Sequence, residues 1–359
     1  MKMRIVIKIG SQILTRKDGS LDITQMSDIV DQISELYKNN IEIILVSSGA
    51  VASGKTEISP SIKLDSISAR QLYSAIGQVK LMNRYSDLFH QQGITCGQIL
   101  TTKEDFATRR HYLNQRNCMN IMLESGIIPI VNENDTISVN ELMFTDNDEL
   151  SGLVASMMDC KKLILLSNID GIFTGDPEKP ESLLIREIET DKQSIEKYIQ
   201  TSKSSMGRGG MKTKYNIARK VAEEGIEVII ANGRTENILL KIVKEQEVNA
   251  TRFVPSTKSI SCVKKWIAHS DDFTKGIIYI NKGACEALLG DTAVSLLPIG
   301  IVKVTGNFEA DDIVQIKDEN GKQIGIGRTS YSSTMAKELI GKSHKRPIIH
   351  YDYLYLESN

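Results

Sequence analysis

The chain has 359 residues, 41% of them hydrophobic, which is enough to build ordinary cores in two or three domains. Its 44 basic and 45 acidic side chains leave a formal charge of -1, which excludes a global attraction to nucleic acid or an anionic membrane. No run of about 18 uncharged apolar residues occurs, and the opening MKMRIVIKIGSQIL reads as a strand instead of a cleavable leader, so a cytoplasmic location is expected.

The first apolar run, RIVIKIG, places Lys8 at its end, with Gly10 and Ser11 opening the next turn. A lysine at a strand end often only snorkels to water, so its neighbours must decide its role. After the helical segment ITQMSDIVDQISELYKNN comes a second strand, IEIILVSS, followed by GAVASGKT. Those eight letters, Gly49 to Thr56, match the G-x-x-x-x-G-K-[ST] pattern of a nucleotide-binding P-loop. A true P-loop needs a helix starting at the lysine, whereas Pro60 follows closely and disfavours helix at Ser59. AVAS suits a first helical turn ending near Gly54. An anion would therefore meet the chain near Ser47-Ser48-Gly49, where backbone N–H groups and the helix dipole point outward; a plain N-cap serine explains the same letters.

Further along, TCGQILTT and IIPIVNEN read as strands. The second ends in Asn132, Glu133, Asn134 and Asp135, and the chain returns to Asp146-Asn147-Asp148 before a helix. So many short polar groups at a strand end exceed what a solvated turn needs. The spacing is not that of an EF-hand and no histidine offers a zinc site; mixed Asn and Asp suit an amino acid's ammonium group. KKLILLSN and EVIIAN are two more strands, and between them SKSSMGRGGMKTK runs into the amphipathic helix MKTKYNIARKVAEEG, ending at Gly225. Gly207, Gly209 and Gly210 beside Lys212 and Lys214 suggest a phosphate loop.

Strands alternating with helices imply a mainly parallel sheet covered on both faces. After EQEVNATRFVPSTKS the text changes to short β-like runs, with Glu319-Asn320-Gly321 as a hairpin turn and helices only at CEALLG and MAKELIGK. The expected organisation is an α/β domain over 1–250, a linker over 251–262 and a small β-rich domain over 263–359. Cys96, Cys118, Cys160, Cys262 and Cys285 are odd in number, widely spaced and without a C-x-x-C pair, which reads as reduced core thiols.

Catalytic groups in an open parallel sheet gather at the carboxyl ends of the strands. Here those ends supply two cationic arms, Lys8 and the Lys212/Lys214 helix start, around an acidic, amide-rich pocket. That combination serves phosphoryl transfer, in which a protein positions reactants and neutralises charge on the moving group. No dedicated metal cage is visible, which suits magnesium arriving with a nucleotide.

The segments VIKIGSQIL, VSSGAVASG, PIVNENDTIS with TDNDELS, LSNIDGIFTGDP and GRGGMKTK resemble the amino acid kinase family, in its glutamate-phosphorylating branch, over nearly the whole chain. The resemblance implies the amino acid kinase fold and ATP-dependent phosphorylation of the γ-carboxylate of L-glutamate, the first step of proline biosynthesis. It assigns Lys8 and Lys214 to the transferring phosphoryl group, Asp148 to holding both lysines, and Ser48, Asp135 and Asn147 to glutamate. It assigns ATP, with Mg2+, to Lys8, Ser167, Asn168 and the loop Arg208, Gly209, Gly210, Met211, Lys212, Thr213 and Lys214. Ser167 and Asn168 stand where the family usually has Thr and Asp, so a charge is lost at the second position. GAVASG falls on the family's substrate loop, which makes the Lys-Thr after it a coincidence. The resemblance further implies proline as a feedback inhibitor, a homo-oligomer (dimer or tetramer) built by the kinase domains, and a glutamyl phosphate reductase as partner.

The C-terminal segment from KGIIYINKG to GRTSYSS resembles a PUA domain, a fold that elsewhere binds RNA. From Lys258 onward 13 basic residues stand against 12 acidic ones, a net of +1 without the basic footprint that phosphate binding requires, which favours a structural or regulatory role. The alternatives are another amino acid kinase, acting on N-acetylglutamate, aspartate or a nucleoside monophosphate, and an RNA-binding protein acting through the PUA domain. Asp135 favours a free amine, because an acetylated substrate would leave that carboxylate unpaired.

Overall fold

Beyond its first residue the central strand β1 (Arg4–Ile9) is apolar on both faces except for Lys8, and its last five residues are buried. The computed structural model of the chain describes residues 2–107, 109–138, 144, 146–189, 211–257, 267, 273–290, 294–343 and 345–356. The chain divides into two units, Met1–Ser259 and Ile260–Asn359.

In the first unit β1 leads through α1 (Ser11–Leu14) and α2 (Ile23–Lys38) to β2 (Glu42–Ser47), then α3 (Ala50–Lys55) and α4 (Ser66–Gln91). Next come β3 (Thr95–Thr101), α5 (Glu104–Ala107), α6 (Arg109–Glu124), β4 (Ile127–Glu133), α7 (Asn147–Met157) and β5 (Lys162–Ser167). Short strands β6 (Ile172–Phe173) and β7 (Leu184–Ile185) pair with each other, and β8 (Glu187–Glu189), α8 (Met211–Glu223), β9 (Glu227–Asn232), α9 (Ile238–Val243) and β10 (Ala250–Val254) complete the unit.

Among the described residues the main sheet has the order β3-β4-β2-β1-β5-β9-β10-β8. All its pairings are parallel except β9 with β10, in keeping with a mainly parallel sheet. From β1 the chain first builds outward to β2, β4 and β3, then returns to β5 and β9 on the other side. This reversal is a topological switch point, and the crevice beyond the carboxyl ends of β1, β2, β4 and β5 is where such sheets take ligands. Core residues Ile5, Ile7, Ile43, Leu45, Ile130, Ile164 and Leu166 are nearly or wholly buried.

The P-loop look-alike is resolved here. Helix α3 begins at Ala50 and ends at Lys55, behind the left-handed Gly49 (φ 104°), so the lysine closes a helix where a P-loop lysine would open one. Gly54 has a packing reason instead. A Cβ on Gly54 would lie 1.8 Å from the carbonyl oxygen of Tyr73, and one on Gly77 would lie 1.8 Å from that of Ala50. The two glycines let α3 and α4 touch backbone to backbone.

The second unit has one five-stranded sheet, in the order β12-β11-β13-β14-β15, with β11 (Gly276–Ile280), β12 (Ile301–Gly306), β13 (Ile313–Asp318), β14 (Gln323–Thr329) and β15 (Ile349–Leu356). Only β11 with β13 is parallel. The turn foreseen at Glu319-Asn320-Gly321 joins β13 to β14, closed by the Gly321 amide donating to the Asp318 carbonyl at 3.0 Å. Helices α10 (Lys282–Leu289) and α11 (Ser333–Leu339), capped by Asn281 and Ser332, overlap the segments expected to be helical, with Gly290 and Ile340 to Lys342 lying beyond their ends. Ile278, Ile280, Val314, Ile316 and Phe308 lie in a separate core.

Among the described residues Cys96, Cys118, Cys160 and Cys285 are free thiols. Cys160 is buried, but Cys118 is exposed on α6, because it falls on the outer face of a helix whose inner face uses Tyr112, Met119 and Leu123. Cys262 lies outside the described residues. Among the described residues no helix is long and apolar enough to cross a membrane.

The α3–α4 crossing yields a test. Gly77→Ala forces its new methyl into the Ala50 carbonyl, so urea unfolding should show a loss of about 3 kcal/mol, near the upper end of ordinary overpacking.

Candidate active site

Asp148 sits in the first turn of α7 with no solvent exposure, between two lysines. Lys8 Nζ lies 2.5 Å from Oδ1, and Lys214 Nζ donates to Oδ2 at 2.7 Å. Lys8 comes from the end of β1, and its side chain is only 6% exposed, so it does not snorkel. Lys214 comes from the first turn of α8. That helix is held over α7 by the close approach of Ile217 and Val221 to Gly152, where a Cβ would meet Ile217 Cγ2 at 2.9 Å. Asp148 and Gly152 share one face of α7, four residues apart, and Lys214, Ile217 and Val221 share the opposing face of α8.

The electrostatics follow from burial and these two cations. Burial alone would push the Asp148 carboxyl upward, but the ammonium groups of Lys8 and Lys214 outweigh it and hold it down at about 2. Asp146, just before the helix, caps it through Oδ1, which accepts from the amides of Asp148 (2.9 Å) and Glu149 (3.1 Å). Its carboxyl is pushed up to about 6, first by burial and then by the Asp148 charge, against the opposing pull of the lysines. Its Oδ2 is buried without a hydrogen-bond partner.

Next to the clamp lies an amide-rich pocket. Asn147 Nδ2 donates to Ser48 Oγ (2.9 Å), to the Ser47 carbonyl (3.1 Å) and to Asn132 Oδ1 (2.9 Å), joining the ends of β2 and β4. Asp135 stands two residues beyond β4 and is buried. It is not a lone charge: Arg70 Nε donates to its Oδ1 at 2.6 Å, and Arg70 Nη2 donates to Glu133 Oε2 at 2.7 Å. The structure thus removes the premise that an acetylated substrate would strand Asp135 unpaired.

On the other side of β1, Ser167 ends β5 and is buried, while Asn168 is exposed. Ser167 Oγ approaches Asn168 Oδ1 at 3.4 Å, and the Gly233 amide donates to the Ser167 carbonyl at 2.9 Å. Asp170, two residues further on, puts a carboxylate in this segment, accepting from Asn232 Nδ2 at 3.1 Å. Met211, Lys212 and Thr213 open α8 with Lys212 exposed, and Arg208, Gly209 and Gly210 lie outside the described residues. The structure therefore brings Lys8, Asp148 and Lys214 together, and Ser48 with Asn147; Asp135 joins them through Asn132 and Glu133.

Sequence reasoning missed α4. This helix has an aspartate N-cap and no strand-end motif, yet one of its faces floors the site. Arg70 meets the carboxylates, Gln78 Oε1 accepts from Asn132 Nδ2 at 2.9 Å, and the buried Tyr85 hydroxyl meets Ser47 Oγ at 2.8 Å. The only available signal was the spacing of these side chains, at intervals of two helical turns.

Buried charge paired at strand ends around a switch point, with cations converging on one carboxylate, defines a protein of the class that binds and moves an anionic group. The amino acid kinase family model matches residues 3–232 and a PUA domain model matches residues 276–351. The chain is 61% identical to the glutamate 5-kinase of Bacteroides thetaiotaomicron, over 99% of this chain and 98% of that one. It is 44% identical to the glutamate 5-kinase of Chlorobaculum tepidum, over 98% of this chain and 97% of that one. Among solved structures, carbamate kinase from Giardia lamblia bound to AMP-PNP shares the fold with a TM-score of 0.53 at 18% identity, covering 71% of this chain and 99% of that one. The chain belongs to the amino acid kinase family and, within it, to the glutamate 5-kinases, followed by a PUA domain.

Two outcomes test the electrostatics. Asp148→Asn leaves two lysines without their shared anion and should cost about 3–5 kcal/mol in urea unfolding. The acid behaviour separates the two aspartates. Asp148 has a folded value below the ordinary 3.8, so its contribution is present above that pH and is lost as pH falls through about 2. Asp146 is held above 3.8, so it withdraws stability as pH rises from 3.8 through about 6. Asp146→Asn should therefore gain in melting temperature relative to the parent between those two pH values, as thermal melts across that range would show.

Proposed function

We propose that the chain transfers the γ-phosphoryl group of ATP to the γ-carboxylate of L-glutamate, giving L-glutamyl 5-phosphate, the first step of proline biosynthesis. The observation that carries this reading is the Lys8–Asp148–Lys214 clamp beside the Ser48–Asn147 amide pocket, in a chain 61% identical to a glutamate 5-kinase.

The chemistry needs no general base. A carboxylate is already ionised at neutral pH, so its oxygen attacks the γ-phosphorus directly. The bond from that phosphorus to the bridging oxygen breaks, and ADP leaves with the electron pair. Charge spreads over the phosphoryl oxygens as it moves. Lys8 and Lys214 are placed to meet that charge, and Asp148 keeps both ammonium groups aimed at one point, so little reorganisation is required. On the substrate side, Asn147 and Ser48 orient glutamate at the ends of β2 and β4, and Asp135 receives the α-ammonium. A carboxylate has about four lone-pair sites, so one can accept from a guanidinium and an ammonium together.

ATP is assigned to Lys8, Ser167, Asn168 and the segment Arg208 to Lys214. Among the described residues no group of three or more His, Cys, Asp or Glu side chains gathers as a cation cage. The buried, unpartnered Asp146 Oδ2 beside the lysines fits a magnesium ion held chiefly by the nucleotide's phosphates, as the protein oxygen that would hold it. When bound, such an ion neutralises charge on the phosphates. Proline as feedback inhibitor, a glutamyl phosphate reductase as partner and a homo-oligomer belong to the same reading. The oligomer is supported by apolar side chains exposed on α4 and α6, Val79 (62%) and Ile121 (54%), which a second copy would cover.

The test is trapping of the acyl phosphate with hydroxylamine, offering Mg-ATP with L-glutamate, N-acetyl-L-glutamate and L-aspartate in turn. Acyl hydroxamate with glutamate alone is the expected result, and a signal confined to either other substrate would overturn the assignment. Lys8→Ala or Lys214→Ala should reduce turnover by about 10²–10³-fold with the far-UV circular dichroism unchanged.

A further inference from the structure

Arg70 lies on α4, outside every motif that marks the strand ends, yet its guanidinium spans both carboxylates of the pocket. Nε donates to Asp135 Oδ1 at 2.6 Å, and Nη2 donates to Glu133 Oε2 at 2.7 Å while also touching Asp135 Oδ1. All three groups are largely withdrawn from water: the side chains of Glu133 and Asp135 are 4% and 8% exposed, and that of Arg70 is 19% exposed. Glu133 passes the connection on, because its Oε1 accepts from the Phe144 amide at 3.1 Å, just ahead of Asp146-Asn147-Asp148. One residue along the helix, Gln71 Nε2 donates to the Thr136 carbonyl at 2.7 Å and pins the chain beyond Asp135. The same helix holds Asn132 through Gln78, and Asn132 holds Asn147.

We propose that Arg70 is a positioning and specificity-determining residue for the amine end of the substrate: its fork fixes Asp135 and Glu133 together and leaves the pair with a single net negative charge for an ammonium group. This inference rests on the reading of the substrate as a free amino acid.

The charge count makes the argument physical. Two buried carboxylates side by side repel, and one of them would take up a proton if nothing compensated them. Burial pushes the Glu133 carboxyl upward, Arg70 pulls it back, and the Asp135 charge pushes it up again. Counted as carboxylates, the pair sums with the Arg70 guanidinium to one negative charge, equal and opposite to one substrate ammonium. A lysine could not do the same work, since its ammonium is a point charge without the planar fork that engages two carboxylates in fixed directions.

The experiment is steady-state kinetics on the full chain by the hydroxamate assay, with glutamate and Mg-ATP varied separately. Arg70→Gln should raise the KM for glutamate by about tenfold or more, with the KM for ATP and kcat close to the parent values. Arg70→Lys should fall between the two. An Arg70→Gln protein with the parent KM for glutamate would overturn the proposal, as would one in which both KM values and kcat worsen together, the mark of a purely structural role. If Arg70→Gln does not fold, Glu133→Gln gives the decision: it removes the net charge with Arg70 still on Asp135, so an unchanged KM for glutamate overturns the proposal and a raised one supports it. A parent enzyme that makes no hydroxamate from glutamate removes the substrate reading and this inference together; an active parent with an indifferent Arg70→Gln removes the inference alone.

Discussion

The structure of the first unit turns on one buried carboxylate. Asp148 has no exposure and two ammonium partners, and each partner arrives on a different element. A charge in that position is costly unless it is paired and held by further hydrogen bonds. Two lysines on one aspartate leave one positive charge in excess of that carboxylate, and Asp146 beside them carries a carboxyl pushed up to about 6. The surrounding fold keeps that excess in place. The capping of α7 by Asp146 sets the direction of Asp148, the parallel pairing of β1 with β2 and β5 sets Lys8, and the close packing of α8 on Gly152 sets Lys214.

The opposite sign is built at the neighbouring strand end. Glu133 and Asp135 lie around Arg70, and an amide network through Asn132, Asn147 and Ser48 separates them from the lysines. A substrate carrying an ammonium at one end and a carboxylate at the other would find complementary charge at both. Two poles of this kind orient a small zwitterion more strictly than shape alone. They also explain the concentration of polar side chains beyond β4, where a plain turn would need far fewer.

Helix α4 shows how a support can be as informative as the groups it supports. Tyr85, Gln78 and Arg70 line one face and meet β2, β4 and the segment after β4 in turn. Its backbone contact with α3 through Gly54 and Gly77 fixes the helix axis against the turn that follows β2. The feature that mimics a P-loop in the text is thus a device for bringing two helices together. The lysine of that lettering closes helix α3 where a P-loop lysine would open one.

Much of this was legible in the letters. The β–α alternation, the strand ends near Lys8, Ser48, Asn132 and Ser167, the helix from Met211 and the change of texture before the second unit all follow from periodicities and turn residues, which are local properties. The pairing of Asp148 with both lysines was accessible only through family resemblance, since no spacing in the chain links positions 8, 148 and 214. Tertiary structure alone decided three things: that Asp135 already has a cation, that this cation is Arg70 from the middle of an unremarkable helical stretch, and that Cys118 faces outward. Each depends on which helix face turns toward the sheet. Sequence periodicity determines that a face exists, and only packing against the other elements determines what that face touches.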